Sequence, residues 1–243
     1  MAADHPAAEP SSPQPPSPQT PTPGRRELAV ARSDDPVRDR AEEKVRRFLD
    51  AALELVTGAR GKDFTVQDVV RTSGQSLRSF YQYFDGKQEL LLALLEESAR
   101  RTADRLREVT AEEPDAAARL RRFTRDYHRL CRPRPADREH GADAEGGGAP
   151  AELARRLLTD HPGEAARAFA PLRLLLEEIL HDAAREGSVR PGLDHRLVAG
   201  TLLQAVLFHP FALAVGGTDH EARDADADAD ALWDLLARGI TSP

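Results

Sequence analysis

A chain of 243 residues is long enough to bury one large or two modest cores without staples, and its single cysteine, Cys131, excludes an internal disulfide and a cysteine-built zinc site. A net charge of -7, from 41 acidic against 34 basic side chains, excludes a protein that coats nucleic acid through a global positive field. The charge is uneven, however: residues 1–35 carry -2, residues 36–90 carry +1 and residues 91–243 carry -6, as expected if only the second stretch faces a polyanion.

Residues 1–36 open with MAADHPAAEPSSPQPPSPQTPTPG, a Pro-, Ala- and Ser-rich composition with too little apolar surface to offset the entropy of ordering, so a disordered tail is expected. It has no charged start followed by an apolar core and a cleavage site, so no secretory signal is expected, and the cysteine usage points to the reducing cytoplasm. From about Arg40 to Thr57, the residues Val45, Phe48, Leu49, Ala52, Leu53 and Val56 repeat at helical spacing, and Gly58 and Gly61 end the helix. Thr65, with Asp68 three residues on, is a cap-like start for a short second helix that Ser73 and Gly74 stop. Ser76 caps a third short helix over 77–83, and Asp85 with Gln88 caps a fourth carrying the LLLALL run at 90–95.

Further helices are expected at about 114–130, 151–160, 163–187, 194–215 and 228–239. Between them, residues 132–150 (RPRPADREHGADAEGGGAP) read as a mobile loop. The alternating aspartates at 223–230 invite a calcium-loop reading. Ala229 and Leu235 then stand where that loop needs Gly and Glu, so the segment reads as a solvated lead-in with Asp230 capping the last helix. The apolar run 197–217 is interrupted by Gln204, His209 and Pro210 and reads as a buried helix rather than a membrane span. No strand-like alternation bounded by hairpin turns occurs, so the fold class is all-α.

The stretch SGQSLRSFYQYFDGK at 73–87 gathers Tyr81 and Tyr83, two of the three tyrosines, where the run from Val69 to Phe84 has no carboxylate. Two short helices about a Gly-bearing turn, packed on a longer first helix, form a helix-turn-helix, and a carboxylate there would repel the phosphates of a duplex. Hydroxyls of Ser76, Ser79, Tyr81 and Tyr83 suit phosphate oxygens, Arg78 suits a guanine edge and Gln67 an adenine edge, or either of them a phosphate, and Lys87 adds a cation at the rim. Phe80 and Phe84 read as core, facing the first helix.

FTVQDVVRTSGQSLRSFYQYFDGKQELL, within residues 48–95, resembles the DNA-binding domain of the TetR family of bacterial transcriptional regulators, with Thr65, Gly74, Phe80, Tyr81, Phe84, Lys87 and Leu90 matching its pattern. The resemblance implies a DNA-binding domain over 37–90, followed over 91–243 by a helical ligand-binding and dimerisation domain. It also implies that Thr65, Gln67, Leu77, Arg78, Ser79, Tyr81, Tyr83 and Lys87 approach double-stranded DNA, with Leu77 standing where many members carry a polar or small residue. A homodimer through the last two helices, at about 194–240, would present two heads to a palindromic operator. A small apolar effector among the middle helices would meet Phe123, Tyr127, Phe169, Leu172, Leu176 and Phe208, with His128, His181 and His209 as candidate polar partners; ordinary packing explains each as well. The rival expectations are a helical enzyme or metal-dependent protein using Asp and His of the second half, or an adaptor without DNA affinity. The sequence holds no catalytic motif, cofactor signature or metal-ligand set that favours the enzyme.

Overall fold

The structure is a computed structural model that describes residues 38–58, 64–132, 148–217 and 224–242. Ten helices occur among them: α1 (Arg38–Thr57), α2 (Val66–Ser73), α3 (Leu77–Tyr83), α4 (Lys87–Ala111), α5 (Ala116–Cys131), α6 (Gly148–Asp160), α7 (Pro162–Ala168), α8 (Ala170–Arg185), α9 (His195–Val215) and α10 (Ala225–Ile240). The only extended pairing among the described residues is an isolated antiparallel bridge between Val189 and Thr241. The fold is all-α, as the sequence predicts. The expected tail at 1–36 lies outside the described residues, as does the expected loop at 132–150 apart from Arg132 and the first turn of α6.

The head is α1, α2 and α3 with the start of α4. Its core is aromatic: the Phe48 ring of α1 meets Phe80 edge-on at 5.4 Å and Phe84 at 6.1 Å, and all three are buried. Edge-to-face geometry sets the positive rim of one ring against the negative face of another, which adds to the area these rings bury. Val69 seats α2 on the same cluster.

α4 runs out of the head and packs on α1, α5, α6, α7 and α8, so one helix is shared by both parts of the fold. α5 is the hub of the second part, with α8, α9 and α10 against it. The chain departs from the expected single helix over 163–187: α7 ends at Ala168, Phe169 is a turn residue, and α8 begins at Ala170. The physical reason is Pro171, which has no N–H to continue the α7 ladder but suits the first turn of α8.

Two further expectations are corrected. Asp230 does not cap the last helix; Asp224 does, its carboxylate accepting from the Asp226 N–H at 3.0 Å, and the aspartate run is helical from Ala225. Acids in a first helical turn complement the helix dipole. They also meet α5: Arg129 grips Asp226 bidentately at 2.7 and 2.9 Å, Arg132 reaches Asp228 at 3.1 Å, and Arg121 and Arg125 reach Asp230 at 3.2 and 3.4 Å. The second correction concerns α9, which is only half a buried helix. Leu202, Leu203, Val206 and Leu207 are buried, whereas Leu197, Phe211 and Val215 are 65% exposed or more. Over His195–Leu213, α9 is the one helix among the described residues that is long and apolar enough to cross a membrane.

Two histidine pairs join the helices. His181 meets His195 edge-on, and His128 of α5 meets His209 of α9, with Nε2 and Nδ1 2.9 Å apart. Burial first, then His209 and Arg132, push His128 down to about 4, against the weaker opposing pull of Asp228 and Asp226. An unfolded chain takes up a proton near the ordinary value of 6.5, whereas the folded one resists until about 4. Stability from this site is therefore complete above about pH 6.5 and is lost as pH falls toward 4, by on the order of 2 kcal/mol. Melting curves at pH 7.5 and 5.0 should show a smaller drop for His128→Leu than for the parent chain.

Candidate nucleic-acid interface and interior cavity

Local chemistry fixes the turn between α2 and α3. Thr65 and Asp68 form a capping box: the Thr65 N–H donates to the Asp68 carboxylate at 2.8 Å, the Thr65 hydroxyl donates to the same oxygen at 2.7 Å, and Asp68 N–H returns to the hydroxyl at 3.2 Å. These Thr65 bonds, with Arg71 adding to them, hold the Asp68 carboxyl at about 2. Gly74 ends α2 in the left-handed region at φ 65°, with its N–H returned to Arg71 and Val70. A side chain there would strain the turn, which is why the break needs glycine. Ser76 then starts α3, its hydroxyl accepting from Ser79 N–H at 3.0 Å.

This geometry sorts the predicted DNA-facing residues into two groups. Gln67, Ser76, Leu77, Arg78 and Tyr81 are exposed on α2 and α3, with Leu77 at 42% and Tyr81 at 56%. The Tyr81 ring is steadied edge-on against Phe80 at 5.4 Å. Gln82, one turn beyond Arg78, is also exposed and was missed, although its i+4 spacing would have found it.

The other predicted residues are committed elsewhere. Tyr83 is 1% exposed and tilts against Phe48 at 6.5 Å, so it is a core ring rather than an exposed hydroxyl. Ser79 is buried on the α3 face turned inward, its Oγ without a partner among the described residues. Thr65 is exposed, but both roles of its hydroxyl are taken by the capping box. Lys87 is a strut: its Nζ donates to the Phe64 carbonyl at 2.6 Å and lies 4.1 Å from the Phe64 ring centre, tying the start of α4 to the entry of α2. The expected cap of α4 by Asp85 with Gln88 is also replaced: Gly86 is the N-cap and the Glu89 carboxylate accepts from Asp85 N–H at 2.6 Å.

Behind the head lies a cavity of about 350 Å³. Leu49 and Leu53 of α1, with Leu94 and Leu95 of α4, form one side, and Tyr127, Cys131 and Leu172 belong to the other. Of the predicted effector contacts, Tyr127, Phe169 and Leu172 line this cavity. Phe123 and Leu176 are buried away from it, and Phe208 lines a separate groove between α9 and α10. The wall residues on α1 and α4 were missed, since helical periodicity marks an apolar face without saying whether it meets protein or space. Burial pushes the Cys131 thiol up to about 12 and raises Tyr127 as well, so both stay protonated.

Residues 48–94 match the family model of bacterial regulatory proteins, tetR family. The chain carries the tetR-family helix-turn-helix. The whole fold agrees with solved structures of such regulators. The fatty acid degradation regulator FadR from Bacillus halodurans is 21% identical, over 80% of this chain and 94% of that one, with a TM-score of 0.58. A TetR family transcription regulator from Marinobacter aquaeolei VT8 is 19% identical, over 85% and 100%, with a TM-score of 0.54. SmeT, the repressor of the Stenotrophomonas maltophilia multidrug efflux pump SmeDEF, is 17% identical, over 82% and 90%, with a TM-score of 0.55. At these identities the likeness is one of fold: a tetR-type head on a helical body. No curated protein matches the chain in sequence.

Proposed function

We propose that this tetR-type chain is a cytoplasmic, sequence-specific transcriptional regulator, a homodimeric repressor of a palindromic duplex operator that a small ligand releases. In this reading residues 37–90 hold the DNA and residues 91–243 sense the ligand and dimerise. The observation that carries it is the exposed face of Gln67, Ser76, Leu77, Arg78 and Tyr81, where Asp68, the acid within α2, is already engaged by Thr65 and Arg71. Such a face meets phosphate oxygens through hydroxyls, a guanine edge through Arg78 and a thymine methyl through Leu77, with no carboxylate between Val69 and Phe84 to oppose the counterion release that drives binding. Tyr83, Ser79 and Thr65 act behind it, by holding α2 and α3 in place.

Dimerisation over about 194–240 is supported by the open apolar faces of α9 and α10, where Leu197, Phe211, Val215 and Leu235 are exposed. Apolar area of this kind marks an interaction surface. Ligand control is supported by the cavity, because Leu49 and Leu53 of α1 belong to its wall and to the head at once. A ligand there weakens DNA binding only to the extent that it prefers the non-binding arrangement.

The test is binding to genomic duplex from around the chain's own coding region, measured against salt. A steep fall of log affinity with log salt is expected. Arg78→Ala should lower affinity about tenfold and reduce that slope if it meets phosphate, or relax sequence preference if it meets a base. A chain that shows no salt-dependent duplex binding is not a regulator of this kind.

A further inference from the structure

The α4 wall of the cavity changes character along its length. Leu94 and Leu95 come first, Ser98 one turn later, Arg101 and Thr102 one turn after that, and Arg105 last. This i, i+3, i+4, i+7 stripe occupies a single helix face, so the space is apolar at the head end and cationic and hydroxyl-bearing at the other. Of the two lining cations, Arg101 is matched by an acid of the lining and Arg105 is not. Glu97 is buried and already accepts from Arg100 at 2.8 Å and from Arg101 Nε at 2.9 Å, so two guanidiniums share one carboxylate. Asp50, the other lining acid, lies on α1 at the edge of the cavity wall and is exposed.

Arg105 is the informative side chain. Among the described residues it makes no ion pair, although Arg100, Arg101 and Arg107 around it on α4 each have an acidic partner. Arg105 is exposed and borders the cavity one turn beyond Thr102; a guanidinium so placed, beside a threonine hydroxyl, is a ready partner for a planar or tetrahedral anion, which it grips through parallel N–H bonds. We infer that the effector is an amphiphilic anion: an apolar aliphatic or aromatic body lying between Leu94 and Leu172, with an acidic head held by Arg105 and Thr102. The inference rests on the ligand-controlled reading above and narrows its ligand class.

The test needs no DNA. Two fluorescent probes share an aromatic body and differ in charge: 1-anilinonaphthalene-8-sulfonate carries a sulfonate, and N-phenyl-1-naphthylamine carries none. Titrated into the full chain, the sulfonate should bind about tenfold tighter or more, the worth of one charge-assisted contact. Arg105→Gln should remove that advantage while leaving the neutral probe unchanged. Arg105→Lys, which keeps the charge and loses the fork, should restore part of it. Equal binding of the two probes, tighter binding of the neutral one, binding of neither, or a sulfonate affinity indifferent to Arg105→Gln would each overturn the proposal. Duplex binding by the same preparations, measured separately, shows whether the regulator reading fails on its own account.

Discussion

Phe48→Ala is expected to cost about 4 kcal/mol and to abolish duplex binding by unfolding the head. The ring is fully buried and is the common neighbour of Phe80, Tyr83 and Phe84, so its loss opens a cavity on which the other three rings converge. Small helical units have few other sources of stability: α2 is 8 residues and α3 is 7, too short to persist in water without packing. The check is chemical denaturation followed by circular dichroism, together with duplex binding. Two transitions, with the early one lost or shifted, would assign the damage to the head. Retention of full duplex affinity would mean that the aromatic cluster does not position α3.

Leu235→Glu is expected to yield a folded monomer with duplex affinity lower by about a hundredfold or more. Leu235 is 71% exposed, so the substitution costs the single chain little, and it lines the groove between α9 and α10. In a two-fold interface each change occurs twice, and both new carboxylates would need to leave water. Separation of the heads then removes the high effective concentration that makes two weak contacts strong. Sedimentation velocity against concentration, with melting temperature as the control for folding, decides the matter. A variant that stays dimeric would move the interface off this face.

Much of this architecture was legible because local chemistry and tertiary packing agree. Thr65, Asp68 and Gly74 announce the bounds of α2 in three letters, and the structure places a capping box and a left-handed glycine there. The aromatic run at 80–84 was legible as a run, but its two faces were not fully separated. Phe80, Tyr83 and Phe84 turn inward together, and an aromatic hydroxyl on Tyr83 says nothing about which way the helix is rolled. The aspartates at 224–230 were misread for a related reason. Aspartate is a poor helix former in isolation, and only the arginines of α5, about a hundred residues earlier, give those acids their place. The break at Phe169 had a visible cause in Pro171, outweighed by the apolar periodicity on either side.

The continuity of α4 has a mechanical consequence. Its 25 residues contain neither proline nor glycine and span about 37 Å as one rod, with Lys87 pinned to the head at one end and Arg105 beside the cavity toward the other. A rod without a hinge transmits rotation: a tilt of about 5° imposed at one end displaces the other by about 3 Å, comparable to the rise between neighbouring base pairs. Rearrangements too small to disturb a packed interior are thereby amplified to the length of one base-pair step along a double helix.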